Sequence, residues 1–109
     1  MKHNEVYINH ILEAASEIND YIKGLDKNSF INNKLVRAAT VRQIQIIGEA
    51  TKKLSETTKS KYPNVPWKDI AGMRDKIVHD YFGIDYEAVW QTVTIDIPAL
   101  IKILKGEKN

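Results

Sequence analysis

The chain has no cysteine in its 109 residues. That absence removes disulfides, thiolate metal sites and cysteine nucleophiles together, and it agrees with a reducing compartment. Long apolar runs are missing as well. Met1-Lys2-His3-Asn4-Glu5 leads straight into an amphipathic pattern, and no stretch approaches the roughly 20 apolar residues that span a bilayer. Neither secretion nor membrane insertion is expected, and a cytoplasmic location follows. There is no Gly-rich phosphate loop, which argues against an ATPase or kinase. No glutamate has a histidine three residues on, the ligand unit of ferritin-like di-metal bundles. His3 and His10, seven apart and without cysteines, make a weak metal site and read better as surface. No metal or other cofactor is therefore expected. Charge of one sign is scarce too: 16 basic residues face 14 acidic ones, a net charge of +2, too small to argue nucleic-acid binding from electrostatics alone.

What is present is the composition of a folded globular protein, with 43% hydrophobic and 28% charged residues. The length and the lack of a compositional break predict one domain over residues 1–109. Tyr7, Ile11, Ala14, Ile18 and Ile22 recur at helical spacing and predict a first helix over 4–23, with Gly24 as its stop. From Ser29, a candidate N-cap, to about Thr58, the positions Val36, Thr40, Ile44, Ile47, Ala50 and Leu54 predict one long second helix with only Gly48 inside. Lys61-Tyr62-Pro63-Asn64-Val65-Pro66 is a loop, because residues before proline are pushed out of the helical region. Pro66 is a candidate first residue of a third helix. Trp67, Ile70, Ala71, Met73, Ile77 and Val78 would be its buried side, and it would end near Tyr81-Phe82-Gly83. Asp85 is a candidate N-cap for a fourth segment through Val89, Val93 and Ile97 to Leu104, where Pro98 predicts a kink or a division into two. No strand pattern appears, so the predicted fold class is all-α: an antiparallel bundle of four to five helices.

Two clusters could carry chemistry. Lys52, Lys53, Lys59 and Lys61 crowd one stretch, either as phosphate contacts or as a solvated helix end whose dipole favours cations. Arg74-Asp75-Lys76-Ile77-Val78-His79-Asp80-Tyr81 gathers a permanent cation, an imidazole and a phenol. Arg74 and His79 are five apart, about 140° around an ideal helix, so they converge only if Arg74 reaches around or the helix frays near His79. One reading makes Arg74 a surface cation paired with Asp75 or Asp69 and His79 a helix cap. The other is cleavage of RNA by its own 2′-hydroxyl. An imidazole titrates near neutrality and suits acid or base work, while a guanidinium suits charge developing on phosphoryl oxygens. One histidine does not easily serve as both acid and base, and a two-fold dimer would bring a second.

At these residues the chain resembles the HepT branch of the HEPN superfamily over nearly its whole length. The resemblance rests on Val41-Arg42-Gln43-Ile44-Gln45-Ile46-Ile47-Gly48-Glu49-Ala50, then Tyr62-Pro63-Asn64-Val65-Pro66-Trp67, then Gly72-Met73-Arg74 through His79-Asp80-Tyr81-Phe82, and Val89-Trp90. It implies an HEPN-like homodimer that cleaves RNA without metal, as the toxin of a type VII toxin-antitoxin system. Arg74 and His79 of the Arg-x-x-x-x-His motif would be catalytic, and Asp75 would orient Arg74. Tyr81 stands at the tyrosine that an MntA-like nucleotidyltransferase antitoxin adenylylates in such pairs; a packed ring with a wet hydroxyl is its plainer role. Gly48 reads as a site of close helix approach, Glu49 as a cleft or surface residue, and Trp67 and Trp90 as core anchors more than stacking platforms. The competing function is a non-catalytic helical module that binds a nucleotidyltransferase or nucleic acid.

Overall fold

Two long helices organise the molecule. The computed structural model describes residues 2–77 and 83–106, with side chains from Asn4 onward. Helix α1 (Lys2–Ile22) buries Ile11, Ala14 and Ile18 of the predicted stripe, with Ala15 beside them, while Tyr7 and Ile22 are half-buried. Gly24 follows with φ +80°, a left-handed exit that a residue without Cβ takes freely. Helix α3 (Lys34–Lys52) buries Thr40, Val41, Ile44, Ile47, Gly48, Ala50 and Thr51. The two run antiparallel: Tyr7 of α1 shares a groove with Lys53 just past α3, whereas Glu17 shares one with Gln43. Tyr21 accepts a hydrogen bond from the Gln43 amide at 3.2 Å.

The single long helix predicted from Ser29 to Thr58 is instead three. Short α2 (Lys27–Ile31) is capped by Asp26, which accepts from the Ser29 amide at 2.8 Å, so Ser29 lies inside a helix and does not begin one. Asn33 caps α3 by accepting from the Val36 amide at 3.0 Å. After Lys52 the chain turns, Leu54 drops into the core, and Ser55 caps α4 (Glu56–Ser60) through the Thr58 amide. Each break lets an apolar side chain turn inward at a cap: Phe30 at the first, fully buried, and Leu54 at the second. The Ser55 amide donates to Asn4 Oδ1 at 2.9 Å, fastening this corner to the start of α1.

The third predicted helix also arrives in pieces. Pro66 occupies the N-cap and α5 (Trp67–Ala71) begins one residue later. Gly72, with φ −94° and ψ 7°, bends the chain before α6 (Met73–Ile77). The Ile77 carbonyl accepts from the Asp85 amide at 2.7 Å, and Asp85 caps α7 (Tyr86–Gln91) as expected, accepting from Ala88. Pro98 acts one turn ahead of itself. Residues Thr92–Asp96 form a π-helical turn, in which the Ile97 amide reaches the Thr92 carbonyl, before α8 (Ile97–Leu104) continues. Proline lacks an amide hydrogen and its ring crowds the carbonyl four residues back; a widened turn relieves both without ending the helix.

Among the described residues there is no strand, and the fold is all-α as predicted, with eight α-helices and one π turn in place of four or five long helices. The thinnest dimension is 20 Å, about two helix diameters, so the helices lie in two layers around a shared core. No helix among the described residues is long and apolar enough to cross a membrane.

Candidate functional site

Gly48 is where the site begins. A Cβ built there would lie 3.4 Å from the Ala71 carbonyl and 3.9 Å from that of Ile70. The end of α5 therefore rests on the backbone of α3, the close approach expected of this glycine. The bend at Gly72 then directs α6 along α3, with Met73 and Ile77 buried beneath it. Arg74, between those two anchors, is left on the outside with its side chain 54% exposed.

Arg74 overlooks a cleft of about 180 Å³ lined by Gln45, Gly48, Glu49, Lys52, Ala71 and Arg74 itself. Gln45, Gly48, Glu49 and Lys52 are spaced i, i+3, i+4 and i+7, one face of α3. The guanidinium Nη1 lies 3.5 Å from Asp75 Oδ1, and Asp75 is 80% exposed. A contact this long between wet groups contributes little stability, so the pair leaves Arg74 available to an anion. Asp69 makes no ion pair with Arg74 among the described residues. His79 and Tyr81, the other two predicted site residues, lie outside the described residues.

The lysine crowd separates once folded. Lys52 joins Arg74 in its cleft, whereas Lys53 turns to the α1–α3 groove beside Tyr7 and His10. Lys59 pairs with Glu56 at 3.8 Å and, with Trp67, Lys68 and Ala71, lines a second groove of about 380 Å³. The two cavities share Ala71 as floor. Trp67 is half-buried, donates its indole N–H to the Lys59 carbonyl at 3.0 Å and meets the Tyr62 ring edge-on at 6.2 Å. Trp90 packs on Phe30 with ring centroids 5.3 Å apart. Both tryptophans thus anchor packing, and Trp67 also presents a wall to solvent. Among the described residues no three histidine or acidic side chains are placed to hold a metal ion.

Lys52 was a candidate phosphate contact only as one of four crowded lysines, and Gln45 was not singled out as a site residue. Helical spacing from Gly48 and Glu49 joins the two, a signal that becomes meaningful once Arg74 is known to face the same stripe.

Residues 11–106 match the family described as ribonuclease HepT-like. A Methanocaldococcus jannaschii protein with the provisional name of an RNase is 42% identical over 98 residues, covering 90% of each chain. A Caldanaerobacter subterraneus protein, also provisionally named an RNase, is 41% identical over 105 residues, covering 96% of this chain and 94% of its own. A Thermococcus cleftensis protein provisionally named ribonuclease HepT is 38% identical over 94 residues, covering 86% of each. No solved structure gives a significant match.

Proposed function

This chain belongs to the HepT-like ribonuclease family, and from that membership we propose that it is a metal-independent endoribonuclease with Arg74 and His79 at its centre. The observation that supports this most directly is Arg74, held outward between two buried anchors over a polar cleft and engaged, among the described residues, only by an exposed carboxylate at 3.5 Å. A permanently charged planar donor in that position suits a phosphodiester whose oxygens gain charge during reaction. In the proposed step a base takes the proton of the 2′-hydroxyl and the 2′-oxygen bonds to the adjacent phosphorus. The bond from phosphorus to the 5′-oxygen breaks, and an acid returns a proton to that oxygen. The products are a 2′,3′-cyclic phosphate and a 5′-hydroxyl, with no metal in the balance. His79 supplies acid or base, and its copy in a two-fold homodimer supplies the other. Asp75 orients Arg74.

The biological role proposed is that of a cytoplasmic toxin of the type VII class, paired with an MntA-like nucleotidyltransferase antitoxin. Adenylylation of Tyr81 would place a bulky anion next to the catalytic pair, excluding RNA phosphate by volume and like charge.

Purified protein incubated with RNA in EDTA tests the enzyme. The expected result is fragments ending in 2′,3′-cyclic phosphate that vanish in His79→Ala; intact RNA with both proteins would instead support a non-catalytic binding module. Intact mass after co-expression with the nucleotidyltransferase should rise by one AMP and stay unchanged in Tyr81→Phe. No mass increase in the unsubstituted chain would remove the modification from the proposal.

A further inference from the structure

The grooves of this molecule differ in charge, and the difference points to a path for the substrate. The groove between α1 and α3 is lined by Glu13, Glu17 and Glu49 against a single lysine, Lys53, with His10 midway. It repels a polyanion. The two cavities that meet at Ala71 carry the opposite balance: Arg74, Lys52, Lys59 and Lys68 against Glu49 and Glu56. One of the second cavity's two lysines is internally satisfied, because Lys59 pairs with Glu56. Lys52 and Lys68 are exposed and make no ion pair among the described residues.

The chemistry of the linings divides the labour further. Among the described residues the Arg74 cleft is lined by two cations, an amide, a carboxylate and the small Gly48 and Ala71, with no aromatic side chain. Such a lining holds a phosphate by charge and hydrogen bonds. The second cavity has the Trp67 ring as its apolar wall, flanked by Lys59 and Lys68. A cation next to an indole face is the pairing that single-stranded nucleic acid uses for a phosphate and its neighbouring base. The indole N–H is already committed to the Lys59 carbonyl, so only the ring is offered, and contact there does not discriminate between bases.

We propose that the RNA strand runs from the Arg74 cleft across Ala71 into the Trp67 groove, with Lys52 and Lys68 binding the phosphates on either side of that floor. This rests on the ribonuclease reading. It adds to it a path along one protomer, set by α3 and α5, and a phosphate contact on each of those helices.

Salt dependence reads the proposal directly. Each cation that neutralises a phosphate of a single strand contributes about −0.7 to the slope of log affinity against log salt. The probe is a short fluorescein-labelled oligouridylate, its anisotropy followed across a salt series in the His79→Ala background, which keeps it intact. Lys52→Gln and Lys68→Gln should each weaken binding about two- to fivefold, the range of an exposed ion pair. Each should flatten the slope by about 0.7, and the double variant by about 1.4. Lys34→Gln, exposed at the far end of α3, should change neither quantity. If Lys34→Gln matches the other two, attraction is diffuse and the path is wrong. Unchanged slopes in Lys52→Gln and Lys68→Gln, from a protein that does cut RNA, also overturn the path while leaving the enzyme intact. A chain that neither cuts nor binds RNA overturns the ribonuclease reading itself.

Discussion

Arg37 and Arg74 place the same guanidinium in two different settings, and the contrast separates holding the fold from serving it. At the corner where α2, α3 and α7 meet, Arg37 is half-buried. Its Nη1 donates to the Ile31 carbonyl at 2.8 Å, and its planar head lies 4.3 Å from the Tyr86 ring centre. That carbonyl belongs to the last turn of α2, so the arginine closes a helix end and covers an aromatic face. On the α5–α6 shoulder, Arg74 has among the described residues only an exposed carboxylate 3.5 Å away. The cation bonded to a helix-end carbonyl and laid on a ring is structural; the half-exposed one stands over a cleft.

Exchanging the two roles by mutation gives the largest expected separation. Arg74→Ala should lower cleavage by about 10²- to 10³-fold, the usual cost of removing a donor aimed at developing charge, with the urea midpoint unmoved. Arg37→Ala should do the reverse. Loss of the hydrogen bond and ring contact should cost about 1–3 kcal/mol in urea unfolding, with cleavage per folded molecule close to normal at low temperature. Equal effects of both substitutions on activity, or on stability, would erase the distinction.

The shoulder can also be disturbed without touching its arginine. Gly48→Val would push branched carbons at the Ala71 carbonyl, which a Cβ alone already meets at 3.4 Å. Overpacking of this kind costs about 1–3 kcal/mol. It should also lift α5 and α6 off α3 and reduce kcat/KM beyond what the lost stability explains. Gly48→Ala should stay within about 1 kcal/mol of the parent chain, since an interior glycine is a poor helix residue and its replacement offsets the tighter contact. A Gly48→Val protein with full activity would show that Arg74 does not depend on the seating of α5.

How far the sequence could be read follows the same division between local and tertiary causes. Helix α1 was legible because its buried stripe is a local periodicity, and Asp85 because a cap acts within three residues. The breaks flanking α3 were not, although the residues that cap there, Asn33 and Ser55, are of types that favour caps. Between them and a continuing helix the local preference is small, and the choice fell to Phe30 and Leu54, which are buried only if the chain turns. Pro98 marks an interruption in the sequence, but the way the helix absorbs it, by a π turn over Thr92–Asp96, goes with the burial of Thr92, Val93 and Ile97 in the core. At the site, Arg74 stood out through its motif, and Gly48 through its position in a helix. Lys52 stood out only as one of a crowd of lysines and Gln45 not at all, because the stripe they form on α3 becomes part of a cleft only when another helix lies beside it.

The smallest effect concerns Asp26, at the Arg37 corner. Its carboxylate accepts from the backbone and side chain of Ser29 as the cap of α2, and this holds its pKa below the ordinary carboxylate value of 3.8. A depressed folded pKa favours the folded state above the unfolded value, and the benefit fades as pH falls through the folded one. Asp26→Asn keeps an oxygen acceptor at the cap but cannot titrate. The variant should therefore be slightly less stable than the parent chain at pH 7, and the gap should narrow below about pH 3.8 and close once pH has fallen through the folded value. Urea midpoints of the two proteins at neutral and acid pH measure this. A gap that persists in acid would mean that Asp26 acts through its shape alone, and that the α2 end of the Arg37 corner is held by hydrogen bonding without a contribution from charge.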